Sequence, residues 1–377
     1  MLIGVPREIK VHEYRVGLTP ESARELVARG HRVVVERDAG AGIGAADADY
    51  RSAGAAIASD PQEVFARAEL IVKVKEPLAQ ERALLRPGQA IFTYLHLAPD
   101  PEQVRDLVAS GATAIAYETV SADAGGLPLL APMSEVAGRM AVQVAAHHLE
   151  RPHGGRGILI SGAAGSAPAR ILILGAGVVG SNAARIAMAM GGDAVVLSRS
   201  PGPLRRLQTE LGPKLRARVS TPQDIERESR DADAVIGSAM VPGGLAPKLL
   251  TRAMVAGMKK GAVLVDVSID QGGCFETSRP TTHADPVYAV DGVVHYCVAN
   301  MPGAVPRTST YALNRATLPF VVEMAEHGVL GALRRNPQLR DGLNVCGGAV
   351  TRREVAQALG YDWKDPLNAL DQSDSRA

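Results

Sequence analysis

The chain has 377 residues, of which 46% are hydrophobic and 21% are charged, an ordinary globular composition for about two domains. Its 41 lysines and arginines nearly balance 40 aspartates and glutamates, leaving a net charge of +1, and aromatic residues make up only 3%. Nucleic-acid binders usually carry a basic face or aromatic stacking platforms, so this composition argues against nucleic acid as a partner.

The cysteines and the apolar runs indicate where the protein resides. Cys274, Cys297 and Cys346 are widely spaced and form no CxxC pair, which argues against a structural zinc site and favours a reducing compartment. No apolar run reaches the roughly 18–20 residues that cross a bilayer, and residues 1–8 meet charge too early for a secretory signal. We therefore expect a cytoplasmic protein with no metal and no membrane partner.

Strands rich in β-branched residues alternate with helices from the N-terminus onward. Helix starts are marked by a capping residue before proline at Thr19-Pro20, Asp60-Pro61 and Asp100-Pro101. Strands are predicted at 31–36, 70–75, 90–96 and 113–117. Such alternation predicts right-handed βαβ crossovers and a parallel sheet.

A second βαβ series follows a connecting helix over 134–150 and a glycine-rich loop. Its strands are predicted at 171–174, 193–197, 234–237, 262–267 and 293–298, and a long helix over 308–327 comes after it. The tail beyond Gly360 is polar and is expected to be loose. The predicted fold is α/β, with two Rossmann-like parallel-sheet domains separated by a cleft. Residues 1–130 plus 308–377 form the substrate domain, and 131–307 form the dinucleotide-binding domain.

The strongest local motif is Gly175-x-Gly177-x-x-Gly180, placed between an apolar strand and a helix. In a dinucleotide-binding turn, the first glycine permits the sharp bend, the second lets the backbone approach pyrophosphate, and the third packs helix against strand. The helix N-terminus adds a partial positive charge that favours phosphate. The motif predicts a bound dinucleotide.

The next strand ends in Ser198-Arg199, where the fingerprint predicts an acid that holds the ribose 2′-hydroxyl. Serine and arginine suit a 2′-phosphate, which favours NADP or use of both cofactors. Alternatively, Arg199 is a solvated loop arginine and NAD binds with a weaker ribose contact.

Several polar residues follow predicted strands, where ligands bind in open α/β sheets. Arg15 and Lys75 could hold a small carboxylate, and His96 is a candidate acid/base residue, since histidine is the usual side chain for proton transfer at physiological pH. Asp270 and Asn300 follow strands of the second series in the same way. Taken singly, each could instead be an ordinary solvated or turn-forming residue.

Eight segments together resemble alanine dehydrogenase, a family that includes the soluble subunit of proton-translocating transhydrogenase. They are 4–10, 13–16, 72–77, 93–97, 132–140, 270–273, 279–283 and 297–302 (GVPREIK, EYRV, VKVKEP, TYLHL, PMSEVAGRM, DQGG, RPTTH and CVANMP). The resemblance extends from residue 1 to about 360. It implies oxidation of L-alanine to pyruvate and ammonia with hydride transfer to NAD or NADP, and a homohexamer.

The resemblance also implies residue roles. His96 and Asp270 match the acid/base pair, and the substrate-binding positions correspond to Arg15, Lys75, Met133 and Asn300. The matching cofactor positions are Ser134, Val178, Ser220, Val267, Asp270, Arg279, Val298 and Met301. The dinucleotide motif itself adds Gly175, Gly177, Gly180, Ser198 and Arg199 as cofactor-binding residues. Ser198 departs from the family pattern, which commonly has an acid there. A transhydrogenase subunit and a dehydrogenase of another small amino acid remain the alternatives.

Overall fold

The computed structural model describes residues 1–123, 125–239 and 245–374. The strands are β1 Leu2–Val5, β2 Arg32–Glu36, β3 Ala56–Ala58, β4 Leu70–Val72, β5 Ala90–Thr93, β6 Thr113–Ala116, β7 Arg170–Leu174, β8 Asp193–Ser198, β9 Arg216–Val219, β10 Ala234–Gly237, β11 Val263–Asp266, β12 Val287–Val290, β13 Val293–Tyr296, β14 Leu343–Cys346 and β15 Ala349–Val350. The helices are α1 Pro20–Ala28, α2 Asp47–Ser52, α3 Pro61–Arg67, α4 Ala79–Arg82, α5 Pro101–Ser110, α6 Ala131–Leu149, α7 Val178–Ala189, α8 Pro201–Leu211, α9 Pro222–Asp231, α10 Arg252–Ala256, α11 Pro306–His327, α12 Val329–Arg335, α13 Pro337–Arg340, α14 Arg353–Leu359 and α15 Pro366–Asp374.

The chain forms two compact units. Met1–Met133 and Gly303–Ala377 make the first, and Ser134–Pro302 makes the second. These limits differ slightly from the expected ones at 130 and 307. The reason is local: α6 begins three residues before the first change of unit, at Ala131, and a 3-10 turn over Met301–Ala304 spans the second.

The described residues of the first unit form a sheet in the order β15-β14-β6-β5-β4-β1-β2-β3. Strands β1 to β6 pair in parallel, as the alternation of strands and helices predicts. Beyond β6 the sheet is antiparallel, because β14 pairs with β6 and β15 in that sense. Phe65, Ile71, Ile91, Leu107 and Val345 are fully buried in its core.

The second unit has the order β12-β13-β11-β10-β7-β8-β9 within its described residues. All pairs are parallel except β12 with β13, an antiparallel edge that was not predicted. Leu172, Val195, Val235, Leu264 and Phe275 form its core. Both sheets are therefore parallel-dominated and mixed, and the α/β class is confirmed.

The predicted helix starts are confirmed by their caps. Thr19, Asp60 and Asp100 each accept a hydrogen bond from the backbone three residues on, at 2.9–3.3 Å. Each satisfies an N–H group that the first turn leaves without a helical partner.

The prediction of a loose tail is wrong over the last helix, α15. Ala369 and Leu370 are 2% and 0% exposed, and α15 packs on β14. Burial of these two apolar side chains stabilises α15, although most residues of the tail are polar. Across the described residues, no helix is both long and apolar enough to cross a membrane.

Candidate functional site

Three predicted site residues of the first unit follow neighbouring parallel strands. Arg15 lies in the loop after β1, Lys75 comes three residues after β4, and His96 comes three residues after β5. Since the sheet order is β5-β4-β1, all three belong to the same carboxyl edge. Open α/β sheets bind ligands at this edge.

Arg15 is a buried cation that forms an ion pair with Glu13. Its Nε and Nη2 donate to the two carboxylate oxygens of Glu13 at 2.6 and 2.5 Å, and Nη1 donates to the Met133 sulfur at 3.1 Å. The Arg15 and Glu13 side chains are only 2% and 0% exposed. Burial acts to lower the pKa of Arg15, but the Glu13 ion pair outweighs it and raises that pKa. The structure thus brings Arg15 and Met133 together.

The lysines around the end of β4 have different environments. Lys73 is fully buried, with its Nζ 2.5 Å from a Glu81 oxygen and 3.3 Å from a Glu8 oxygen. The Lys75 side chain is 11% exposed, and its Nζ lies 3.9 Å from Glu76. Lys73 is therefore held in a buried ion cluster, whereas the ion pair of Lys75 with Glu76 is long.

Burial raises the pKa of Glu8 to about 6. The Lys73 charge and the hydrogen bond from the Val74 backbone N–H, at 2.7 Å, both act in the opposite direction. This hydrogen bond and the Lys73 ion pair fasten the loop after β1 to the segment leading to Lys75.

His96 has a left-handed backbone, with φ of 49°, which is uncommon for a residue other than glycine. Glu118 holds this conformation, since its carboxylate accepts the His96 N–H at 2.7 Å and the Leu95 N–H at 3.2 Å. The imidazole is 45% exposed and stacks on the Tyr94 ring with centroids 5.8 Å apart. Burial raises the pKa of the Tyr94 hydroxyl, which donates to the Leu129 carbonyl at 2.6 Å.

The glycine turn of the second unit fits its predicted geometry. Gly175 has φ of +120°, which favours glycine, and a Cβ on Gly180 would overlap the Gly175 carbonyl. A Cβ on Gly177 would meet no atom of the described residues within 4 Å. Gly177 is the N-cap of α7 and offers no side-chain cap, so the helix N-terminus faces open space at this point.

This turn also lies at a topological switch point, because β7 has β8 on one side and β10 on the other. Ser238, directly after β10, donates its Oγ–H to the Leu174 carbonyl at 2.9 Å. Such a crevice is where doubly wound sheets bind dinucleotides.

Ser198 is the last residue of β8, and the exposed Arg199 follows it. The Ser220 N–H donates to the Ser198 carbonyl at 3.1 Å, so these two predicted residues are adjacent. The residues at this strand end are Ser198, Arg199 and Ser200, and none of them is the acid that the dinucleotide motif predicts.

Asp270 is exposed on a 3-10 turn, Ile269–Gln271, that follows β11. Asp266, fully buried, shapes this loop by accepting from the Cys274 N–H at 2.7 Å and the Ser278 hydroxyl at 2.5 Å. A Cβ on Gly273 would lie 2.7 Å from the Asp266 carboxylate. The loop displaying Asp270 therefore depends on an acid that sequence reasoning missed.

The remaining predicted residues of the second unit are distributed over several loops. The Arg279 guanidinium lies 4.0 Å from the centre of the Tyr288 ring, a cation–π contact. Asn300 has φ of 67°, and its carbonyl is 3.1 Å from a ring nitrogen of His283. The other predicted cofactor residues differ in their exposure to solvent. Val178 is 46% exposed, Ser134 and Val267 are half-buried, and the side chains of Val298 and Met301 are buried.

Sequence reasoning missed the carboxylates that hold the site residues. Glu13 and Glu118 have no signature of their own, although Glu13 stands two residues from Arg15. Glu118 is separated from His96 by 22 residues and is brought to it by the pairing of β5 with β6.

Comparison with known proteins follows the same two-part division. Residues 4–137 match the family described as alanine dehydrogenase/PNT, N-terminal domain, and residues 141–353 match alanine dehydrogenase/PNT, C-terminal domain. An alanine dehydrogenase of Halomonas elongata is 56% identical over 98% of this chain and all of its own length.

Solved structures extend the likeness to the fold. An L-alanine dehydrogenase superposes with a TM-score of 0.93 and 47% identity, covering 96% of this chain and 99% of that one. A transhydrogenase from Sinorhizobium meliloti superposes with a TM-score of 0.80 and 26% identity, covering 94% and 99%. The chain therefore belongs to the alanine dehydrogenase/PNT family.

Proposed function

We propose that this protein catalyses the reversible oxidative deamination of L-alanine to pyruvate and ammonia, with hydride transfer to a nicotinamide dinucleotide. One observation carries the proposal: a chain 56% identical to an alanine dehydrogenase over its full length keeps Arg15, Lys75 and His96 at one sheet edge. Members of this family use a nicotinamide dinucleotide as cofactor.

Arg15 and Lys75 are assigned to the substrate carboxylate and carbonyl. Their positions after β1 and β4 support this assignment, because adjacent parallel strands deliver both cations to the same edge. Glu13 fixes the guanidinium plane through two hydrogen bonds, which limits the entropy lost on binding. Met133, in contact with Arg15, lines the pocket for a small side chain, and Asn300 is assigned to substrate binding as well.

The residues around α7 fit a dinucleotide. The space beside Gly177 leaves its backbone open to a phosphate, while Gly175 and Gly180 keep turn and helix in close contact. We assign further cofactor contacts to Ser134, Val178, Ser198, Arg199, Ser220, Val267, Asp270, Arg279, Val298 and Met301. For Val298 and Met301, whose side chains are buried, these contacts are made by the backbone.

A nicotinamide dinucleotide held at the turn of Gly175, Gly177 and Gly180 would supply the hydride acceptor for oxidation of the substrate amine to an imine. We assign His96 and Asp270 to proton transfer: a base activates the water that attacks the imino carbon, and an acid protonates the departing ammonia. Both side chains are solvent-accessible, so each can exchange protons with water. Glu118 and Asp266 position them through the backbone contacts described above.

We propose that the protein accepts NADP as well as NAD. Ser198 and Arg199 support this, since neither repels a 2′-phosphate and a guanidinium can bind one. The variant Ser198→Asp should lower kcat/KM for NADP by about tenfold or more, through charge repulsion, while NAD activity is kept or improved. A wild-type enzyme inactive with NADP would overturn this assignment.

The test of the reaction itself is an initial-rate assay of L-alanine with NAD or NADP, and of pyruvate, ammonium and reduced cofactor. The likeness to a transhydrogenase defines the alternative outcome. Hydride exchange between two nucleotides, with no deamination of alanine, would overturn the proposal. L-Serine and glycine, assayed in parallel, report substrate breadth.

We further propose a cytoplasmic homo-oligomer, a hexamer by family resemblance. The three cysteines are buried and free of disulfides, which suits a reducing compartment. Size-exclusion chromatography with light scattering measures the number of subunits.

A further inference from the structure

A cluster of metal-ligating side chains lies outside the proposed active site, at the C-terminal end of α6. It consists of His147, Glu150 and His153, three exposed residues spaced three apart in sequence. Their ligand atoms all lie within 4.8 Å of one another, and no other group of three meets this condition in the part of the chain that the structure describes.

The local backbone explains why three residues at this spacing converge. The Glu150 N–H donates to the His147 carbonyl at 3.3 Å, and the His153 N–H donates to the Glu150 carbonyl at 3.2 Å. These are successive three-residue turns, and the second is a 3-10 turn over Arg151–His153. His147 lies in the last turn of α6, and Glu150, with an extended backbone (φ −68°, ψ 143°), caps the 3-10 turn that carries His153. The two turns bring the ligand atoms of the three side chains within 4.8 Å of one another.

Two glycines constrain the backbone directly after His153. Gly154 closes the 3-10 turn with φ of +88°. Gly155 lies so close to α6 that a Cβ there would overlap the His148 carbonyl. The backbone carrying the three ligands is therefore closely constrained, although the side chains themselves are exposed and can rotate.

The side chains are already close. The His147 and His153 rings have centroids 3.7 Å apart, and His153 Nε2 is 3.5 Å from a Glu150 oxygen. Two imidazoles and a carboxylate are a ligand set preferred by zinc and its neighbours, not by magnesium or calcium. The carbonyl groups at the end of a helix also favour a cation.

We propose that His147, Glu150 and His153 form a surface site for a divalent transition-metal ion such as Zn²⁺, with water completing its coordination. A bound ion links the last turn of α6 to the loop that leads into β7. The neighbouring His148 is not a ligand, because it is buried and packs near the Tyr296 ring.

The test uses untagged, EDTA-treated, full-length protein titrated calorimetrically with ZnCl₂ and, separately, MgCl₂. We expect one Zn²⁺ per chain, no Mg²⁺ binding at this site, and a Zn²⁺-dependent rise in Tm. His147→Ala and His153→Ala should each weaken Zn²⁺ binding by at least about tenfold. The matched control is His327→Ala, another exposed histidine at a helix end, which should bind Zn²⁺ like the wild type.

Two outcomes would overturn the proposal. One is the absence of a stoichiometric Zn²⁺ site in the wild type. The other is equal binding by the wild type and both cluster variants, which would place the ion elsewhere. Circular dichroism and alanine oxidation rates show that the variants are folded, since none of the three positions belongs to the proposed catalytic machinery.

Discussion

Replacing Gly177 by alanine separates cofactor binding from folding. Among residues 1–123, 125–239 and 245–374, no atom lies within 4 Å of an alanine Cβ at this position, and the backbone φ of −73° is accessible to alanine. The unfolding free energy should therefore stay the same or rise by up to about 1 kcal/mol, because alanine has less freedom in the unfolded chain. The added methyl group instead occupies the space assigned to pyrophosphate.

The expected loss in cofactor affinity follows from the hydrogen bonds at the start of α7. A hydrogen bond to a charged acceptor contributes about 1.5–3 kcal/mol. Losing one by forced displacement of the pyrophosphate would weaken dinucleotide binding by roughly 10- to 150-fold. Binding is measured by titration of reduced cofactor fluorescence, and stability by urea denaturation.

Two further glycines serve as controls. Gly331→Ala, in α12, also adds a methyl group with no close neighbour, the nearest atom being 3.9 Å away, so binding should be unchanged. Gly180→Ala should destabilise the protein by about 1–3 kcal/mol, because its Cβ overlaps the Gly175 carbonyl and lies 2.8 Å from the Ser238 hydroxyl. Unchanged cofactor affinity in a folded Gly177→Ala protein would refute the assigned pyrophosphate contact.

Two buried carboxylates give further predictions. Glu13→Gln should lower the unfolding free energy by about 3 kcal/mol, since it removes the carboxylate charge that pairs with the buried Arg15 guanidinium. The matched control is Glu25→Gln, in an exposed pair with Arg29, which should leave that free energy almost unchanged in urea denaturation. Equal losses in the two variants would contradict the role of burial. Because the pKa of Glu8 is raised from 4.5 to about 6, folding favours its protonated form. The stabilisation that Glu8 contributes is therefore fully present below about pH 4.5 and is lost as the pH rises through about 6. The unfolding free energy of the wild type, relative to that of Glu8→Gln, should fall by about 2 kcal/mol across this window. A difference between the two proteins that does not change with pH would contradict this prediction.

The sequence allowed the central part of each sheet to be predicted, because the signals there are local. A capping residue before proline marks α1, α3 and α5, and apolar β-branched runs mark β4 and β7. The glycine motif was recognisable for the same reason: its strand, turn and helix are contiguous.

The sheet edges depend on partners far away in the chain and were not predicted. Strand β14 adds antiparallel to β6 across more than 200 residues, and nothing local specifies that direction. Strand β9 has the sequence RARV and is partly exposed, so its pattern does not distinguish it from a polar loop. The buried state of Lys73 likewise depends on Glu8, from the loop after β1, and on Glu81, from α4.

The ion pairs of Arg15 and Lys75, at the carboxyl edge of the first sheet, indicate which of these two cations attracts the substrate. Arg15 is compensated by Glu13. By contrast, Glu76 is shared by Lys75 and Lys10, so this trio carries a net positive charge. Lys75 is the less exposed of its two lysines, with 11% of its side chain accessible against 40% for Lys10, and its field is screened less by salt.

Lys75→Met should therefore raise KM for L-alanine by roughly 10- to 150-fold, the effect of losing one hydrogen bond to a charged group. The protein should stay folded, because Glu76 keeps Lys10 as its partner. Lys10→Met is the matched control: it removes the same charge from the trio at its exposed end and should change KM far less. Steady-state kinetics with saturating cofactor measures both variants. Equally small effects of the two variants on KM would mean that Arg15, and not the charge at Lys75, dominates recognition of the substrate carboxylate.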